Sequence, residues 1–381
     1  MTPRRAIIAT RVFEPEGAAA AYRLGNLARS LDAAGFETKV LTTKAPGATR
    51  STARIRRWPV LRDKNGVVRG YLQYLSFDVP LFFRLLLSRR VDVVIAEPPP
   101  TTGMATRLAC WVRRTPYFYY SADVTTAVVK KLGVHPLVLS AVSTMERLTL
   151  SGARGVLAIS EDIRHEIVAL GAERARVTVV GTGVDTSVFS PDGPRKTEKS
   201  PYFIYAGTMS EVHGASVFAD AFERVCREHP TATLKMFGGG SELEAIKTRS
   251  RAFADRVTFH DAVEAAEISA WLRGSTAILA SLRPGQGYDF AFATKALAGL
   301  SCGVPVIYSG AGPLNELVIE NHLGWATNWE ATQVADAMLD ALSTPRQHPD
   351  RRLSEWVEAN YSLRSVADHA ATAIALSLDQ E

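Results

Sequence analysis

The sequence reads as an α/β protein made of two Rossmann-like domains. Short apolar runs such as residues 91–96 (VDVVIA) and 277–282 (AILASL) alternate with longer stretches of helical period, the pattern of parallel sheets covered on both faces. A strand–loop–helix–strand opening occurs twice, over residues 6–42 and again over 202–237. Between them, residues 190–201 (SPDGPRKTEKSP) are rich in proline and charge and read as a linker. A length of 381 residues also points to two domains.

Composition is that of an ordinary globular chain, with 46% hydrophobic and 22% charged residues. The net charge of +5 and the pI near 9.1 suit a protein that handles phosphates or touches an anionic membrane, without establishing either. Cys110, Cys226 and Cys302 have neither paired nor metal-ligand spacing and read as small buried residues in a reducing compartment. The basic start MTPRR is followed by too short an apolar run for a secretory signal. No apolar stretch approaches the ~18–20 residues of a spanning helix. A cytoplasmic protein is expected, with a peripheral position at the inner membrane as the alternative.

Taken in order, residues 6–10 form a buried-strand pattern and 11–17 (RVFEPEG) a loop. Residues 18–34 carry Leu24, Leu27, Ala28 and Leu31 at helical spacing; Gly35 stops that helix, and 37–42 is the second strand. No G-x-G-x-x-G follows the first strand, which disfavours a nicotinamide oxidoreductase. Residues 43–70 are polar and basic, with Arg50, Arg54, Arg56 and Arg57 close together. Residues 71–90 contain PLFFRLLLSRR, for which two readings stand. A core helix with solvated arginines at its C-terminal end is preferred, and a basic amphipathic helix on a membrane surface is the other. Strand 91–96 runs into EPPPTTG, whose prolines exclude regular structure. A helix over 104–112 and an aromatic strand over 116–120 (PYFYY) follow. Asp123 stands just beyond that strand, where a carboxylate can accept from ligand hydroxyls or cap the next helix. A helix over 135–148, a strand over 156–160, a helix over 161–170 and a strand over 177–180 complete the first half.

The second half restarts with strand 202–206, loop 207–214 (GTMSEVHG) and a helix over 215–229 with Phe218, Ala221, Phe222 and Val225 on one face. Strand 233–237 leads through Gly238-Gly239-Gly240 into helix 242–248; three glycines after a strand permit close backbone approach to a ligand. Strand 257–260 (VTFH), helix 268–272 and strand 277–282 follow. Residues 281–313 read as loop, helix 292–300, a turn at Cys302-Gly303, strand 304–308 and a glycine-rich loop. A helix start and a strand end both fall in this segment, so a ligand is expected beside it. A helix over 316–320, a strand over 324–326 and helices over 329–342 and 355–376 finish the chain.

The run CGVPVI before a glycine-rich loop, the pair Thr294-Lys295, and the turn Gly181-Thr182-Gly183-Val184-Asp185 resemble the signature of GT-B glycosyltransferases, in particular retaining family 4. Within that family the chain looks most like the WbuB-like branch. The resemblance spans essentially the whole chain. It implies two Rossmann-like domains facing a central cleft: an acceptor domain over 1–190, joined by a last helix near 361–381 crossing back, and a nucleotide-sugar donor domain over 201–360. The implied reaction is a retaining, metal-independent transfer of a sugar from a nucleoside-diphosphate sugar to a hydroxyl of a glycan, lipid-linked or natural-product acceptor. The nucleotide-sugar is a co-substrate; no metal, other cofactor or nucleic acid is implied. Lys295 would meet the donor diphosphate, and Asp123 and Asp289 the transferred sugar; these are the candidate catalytic residues. On the donor side the resemblance adds Gly17, Gly207, Thr208, His213, Gly238, Gly239, His260, Phe292, Thr294 and Glu316, and on the acceptor side Arg11, Glu16 and Arg23 beside Asp123.

One departure stands out. The two glutamates that the family places eight positions apart fall here on Phe290 and Ala298, with Asp289 one residue early. Losing a ribose-binding carboxylate suits a deoxyribonucleotide, so a dTDP-linked donor is expected alongside a UDP-linked one. The same departure keeps a catalytically degenerate partner subunit open, and a GT-B sugar-nucleotide 2-epimerase, which shares the architecture, stands as a further rival.

Overall fold

The computed structural model describes residues 3–16, 18–44, 54–63, 68, 70–131, 134–286, 292–344 and 349–380. The chain forms two compact units, Met1–Thr182 with Leu363–Glu381, and Gly183–Ser362. Each is built on one parallel sheet.

The sheet of the first unit contains β1 (Arg4–Ala9), β2 (Phe36–Thr43), β3 (Ile55–Trp58), β4 (Val93–Ala96), β5 (Tyr117–Ser121), β6 (Gly155–Ala158) and β7 (Val177–Val179). Their order across the sheet is β3-β2-β1-β4-β5-β6-β7, with every neighbouring pair parallel. The central strands β4 and β5 are buried along their whole length, which is why they read as unbroken apolar runs. Edge strand β3 alternates instead, exposing Arg56 and Trp58. On one face the Ala19–Ala33 helix packs Leu24, Leu27 and Leu31 against Val366, Ala370, Ala371 and Ile374 of the Leu363–Asp379 helix. Ser30 Oγ donates to Asp368 across that contact at 2.6 Å. On the other face the Tyr71–Leu86, Pro100–Arg113 and Pro136–Gly152 helices contribute Phe77, Leu81, Ala109 and Leu150 to a second core layer.

In the second unit the strands are β8 (Tyr202–Ala206), β9 (Thr233–Phe237), β10 (Val257–His260), β11 (Ala277–Leu282), β12 (Val306–Gly310) and β13 (Gly324–Thr327). They run parallel in the order β10-β9-β8-β11-β12-β13. The Ser216–Glu228 helix buries the expected face of Phe218, Ala221, Phe222 and Val225. In each sheet the strand order reverses next to the first strand of its unit, at β1/β4 and at β8/β11. Loops leave in opposite directions there and open the crevice in which open α/β sheets hold ligands.

Four expectations need correction. EPPPTTG is not wholly irregular: a helix begins at Pro100, since the first turn of a helix does not need the amide hydrogen that proline lacks. A further helix, Thr125–Lys131, had no sequence signal; its amides at Thr125 and Thr126 donate to the Glu146 carboxylate at 2.9 and 2.7 Å. The single helix expected over 355–376 is two, Arg351–Tyr361 and Leu363–Asp379, because Ser362 turns extended and bridges to Val184. Finally, residues 190–201 are no free linker. Arg273 donates to the Ser190 and Pro194 carbonyls, Ser301 Oγ to Phe189 O, and Arg351 pairs with Asp192, so this stretch is tied into the second unit and the division falls at Thr182/Gly183.

Candidate functional site

The second unit holds a cavity of about 360 Å³ at the carboxyl ends of β8 and β9, with Ile278 of β11 among its lining residues. Its lining is apolar on most sides, with Phe189, Phe237, Val263, Ile268 and Ala298 among the contributors; Gly207, Thr208, Gly238, Gly239 and Lys295 supply the polar side. None of the described lining residues is acidic. Lys295 is the first residue of the Lys295–Ser301 helix, and its ammonium turns inward to donate to Tyr205 Oη at 2.7 Å while lying 4.3 Å from that ring's centroid. Tyr205 in turn donates to the Thr208 carbonyl at 2.7 Å. Burial lowers the Lys295 pKa from 10.5 to about 7, so an anion entering the cavity would restore a charge that folding has weakened.

Glycines make this arrangement possible in two different ways. A Cβ on Gly207, at φ +145°, would stand 3.1 Å from Lys295 Cε, so the lysine passes directly over its backbone. Gly238 and Gly240 are needed for loop-on-loop packing, since a Cβ there would fall 2.4 Å from the Gly207 oxygen and 2.2 Å from the Met209 oxygen. Gly239, by contrast, has open space where its side chain would be and lines the cavity. Of the three consecutive glycines, only Gly239 answers the expectation of room left for a ligand.

Two histidines flank the cavity. His213 is half-buried, with Nδ1 2.8 Å from Ser210 Oγ, and its carbonyl accepts from Ser281 Oγ of β11. Burial first, and the nearby Lys295 charge second, lower its pKa to about 4. It is therefore neutral at pH 7. His260 stacks on Phe237 at 4.6 Å between ring centroids, and its carbonyl accepts from Gly238 N at 2.9 Å.

The crevice of the first unit is chemically different. Glu97, buried just beyond β4, accepts from Arg23 Nη2 at 3.2 Å and has Thr10 Oγ at 2.5 Å. Burial pushes its pKa up, and Arg23 and Thr10 act against that shift. Arg23 also lies 5.2 Å from the Tyr120 ring centroid, and Arg11 lies 4.0 Å over Tyr74 and donates to Pro98 O at 3.2 Å. Glu16 pairs with Arg62 at 3.4 Å. Arg11 Nη1, Arg23 Nε, Glu16 Oε1 and Tyr119 Oη are all buried without a hydrogen-bond partner, an unusual concentration of unmet polar groups. Asp123 is exposed at the end of β5; crowding raises its pKa, chiefly through desolvation, and Thr125 Oγ lies 3.5 Å away. Because Glu146 already takes the Thr125 and Thr126 amides, the Asp123 carboxylate is not spent on capping that helix. A larger recess of about 840 Å³ lies at the opposite, amino end of this sheet, beside Arg107, Trp111 and Tyr117. Ligands of open parallel sheets are not expected at that end.

Residues 18–183 match the family model of the glycosyl transferase 4-like domain, and residues 200–344 that of glycosyl transferases group 1. The chain belongs to the GT4-type glycosyltransferases. Among curated relatives, the D-inositol 3-phosphate glycosyltransferase of Paenarthrobacter aurescens (strain TC1) is 26% identical over 193 residues, 47% of this chain and 46% of that protein. The chain spans about half the length of the curated relatives it matches. Sucrose-phosphate synthase from Thermosynechococcus elongatus superposes with a TM-score of 0.69 at 15% identity, covering 99% of this chain and 100% of that one. Anabaena HepE in complex with UDP gives a TM-score of 0.61 at 14% identity, over 98% and 100% of the two chains. At such identities these likenesses show the fold, which is GT-B.

Within this GT4-type chain the structure brings Gly207, Thr208, Gly238, Gly239 and Lys295 to one cavity and Arg11, Glu16, Arg23 and Asp123 to the strand ends of the first unit. Five expected donor-side residues are not among those lining the cavity: His213 and His260, described above, and three more. Phe292 stacks on Tyr361 at 5.2 Å, Thr294 is exposed just before the helix that starts at Lys295, and Glu316 is exposed in the first turn of the Pro313–Glu320 helix. Gly17 and Asp289 lie outside the described residues, as does Phe290. Sequence reading missed Glu97, Tyr205, Phe189 and Val263. A carboxylate directly after the apolar run 91–96 was a usable signal for Glu97; the others gain meaning only once distant segments meet. Among the described residues no three His, Cys, Asp or Glu side chains cluster as metal ligands, and no helix is long and apolar enough to cross a membrane.

Proposed function

We propose that this GT4-type chain is a retaining, metal-independent glycosyltransferase of the WbuB-like branch, moving a sugar from a UDP- or dTDP-linked donor to an acceptor hydroxyl. Lys295 carries this reading: it is the one ammonium among the cavity's described lining residues, and burial holds its pKa near 7. A diphosphate raises that pKa, so donor binding takes up a proton and fixes the positive charge where the leaving group needs it. The Gly207-Thr208 and Gly238-Gly239 backbones supply neutral contacts around the same anion. Neutral His213 serves as a hydrogen-bonding group. The apolar walls of Phe237, Val263 and Ile268 suit a nucleobase. With Ala298 lining the cavity, no carboxylate is offered to a ribose there, which favours the deoxyribonucleotide. Asp123, whose carboxylate has Thr125 Oγ at 3.5 Å, accepts from a sugar or acceptor hydroxyl, and the Arg11–Arg23–Glu97 cluster beside it orients the acceptor, a glycan, lipid-linked or natural-product alcohol.

A second reading, a degenerate binder acting as partner subunit, draws on the same Ala298. Incubation with UDP-, GDP-, ADP-, CDP- and dTDP-sugars, followed by chromatography of the nucleotides, separates the cases. The proposal expects one donor class to release its nucleoside diphosphate, with Lys295→Ala slowing release by about 100-fold. Isomerised donor without release identifies an epimerase, and binding without turnover identifies the degenerate protein.

A further inference from the structure

The Tyr71–Leu86 helix has two apolar faces. Phe77, Leu81 and Leu85 face the sheet and are fully buried. On the outside, Tyr71, Leu75, Val79, Phe83 and, just past its end, Leu87 recur every fourth residue, each 50–84% exposed, with Leu72 beside them. The Pro100–Arg113 helix packs alongside on the same face of the sheet and exposes Leu108, Trp111 and Val112. Isolated exposed apolar residues are unremarkable, but a stripe along one helix continued on its neighbour marks an interaction surface.

The charge around this surface is one-sided. Residues 71–90 and 100–114, which carry the two helices, hold six arginines and one acidic residue. Within 71–90 and 100–114 the only acidic residue is Asp78, and it is buried, accepting from Thr102 Oγ at 2.6 Å. Arg89 and Arg90 are exposed at the end of the first helix, and Arg84 lies 5.7 Å from the ring centroid of the exposed Trp58.

We propose that the outer face of these two helices docks on the surface of an anionic phospholipid bilayer, the apolar stripe entering the headgroup boundary and the arginines meeting lipid phosphates. Exposed Tyr, Trp and Leu beside Arg are the composition of an interfacial helix. A second copy of the chain is the poorer occupant, because a two-fold contact would set the arginines of this face against themselves. The same helix carries Tyr74 beneath Arg11, so docking would bring lipid to the candidate acceptor end of this unit. That consequence rests on the transferase reading, whereas the docking itself does not.

Sedimentation of the full chain with phosphatidylcholine vesicles, and with vesicles also containing phosphatidylglycerol, tests the proposal without any turnover. The chain is expected to pellet with the anionic vesicles alone and to be released as salt is raised. The double variant Leu75→Asp/Phe83→Asp, at exposed positions, should keep its melting temperature and lose at least about tenfold in partitioning, since two apolar side chains no longer enter the headgroup boundary. Arg89→Glu/Arg90→Glu leaves the stripe intact and should weaken anionic binding several-fold. Failure of the chain to pellet with either vesicle, or equal pelleting of all variants, would overturn the proposal. A dimer by light scattering that Phe83→Asp dissociates would instead assign the face to a second copy.

Discussion

Lys295 shows how one residue can be costly to the empty protein and useful to the loaded one. In the unfolded chain its pKa is near 10.5, and in the fold burial lowers it to about 7. Between those values the unfolded chain holds a proton that the folded chain has given up. Stability from this group therefore rises with pH across that window, and the cost is at its full size below pH 7. Lys295→Met, close in volume and without charge, should raise the melting temperature of the ligand-free protein at pH 6. The gain should shrink steadily toward pH 10.5, a trend that calorimetry at several pH values would reveal. A gain independent of pH would mean that the ammonium is well solvated in the fold. Neighbouring residues are arranged consistently with this: the ring and hydroxyl of Tyr205 are the neutral partners that hold the lysine in place, and no carboxylate pairs with it among the described cavity residues.

At the scale of elements, the Leu363–Asp379 helix completes the first unit from the far end of the sequence. It covers Leu24, Leu27 and Leu31, each worth ~1.5–3 kcal/mol when buried, against a typical net stability of ~5–15 kcal/mol. Ending the chain at Ser362 should leave the first unit open to protease while the core of the second persists, as limited proteolysis with mass spectrometry would show. Continued protection of first-unit peptides would mean that the helix is dispensable. The sheets were legible in the sequence because strands covered on both faces must be apolar throughout; β8, β9, β10 and β11 were read to the residue. What escaped depends on distant contacts. The Thr125–Lys131 helix contains TTAVV, a run of β-branched residues that argues against a helix, and Glu146 holds its amino end. The break at Ser362 lies inside an uninterrupted helical period and arises from pairing with Val184. In the cavity, Lys295 and the glycines were legible from local motifs, whereas Phe189 and Val263 come from separate segments that only the fold brings together. The stretch 190–201 looked like a linker because its prolines and charges are typical of one; Arg273, which ties it down, lies some eighty residues on.

For the molecule as a whole, the two units offer different chemistry at equivalent places in their sheets. The first gathers paired and unpaired charged groups with exposed Asp123, suited to a polyhydroxyl acceptor. The second offers an apolar cavity with one weakened ammonium and glycine-lined backbone, suited to a nucleoside diphosphate. The central claim is that a nucleoside diphosphate binds at Lys295, and calorimetric titration tests it most directly. UDP, dTDP, GDP, ADP and CDP would each be titrated into the wild-type chain and into Lys295→Ala at pH 7, in two buffers of different ionisation enthalpy. The account predicts one preferred diphosphate, proton uptake on binding, and a loss of about tenfold or more in affinity for the alanine variant. Equal affinity in the two proteins, or no binding of any diphosphate, would contradict it.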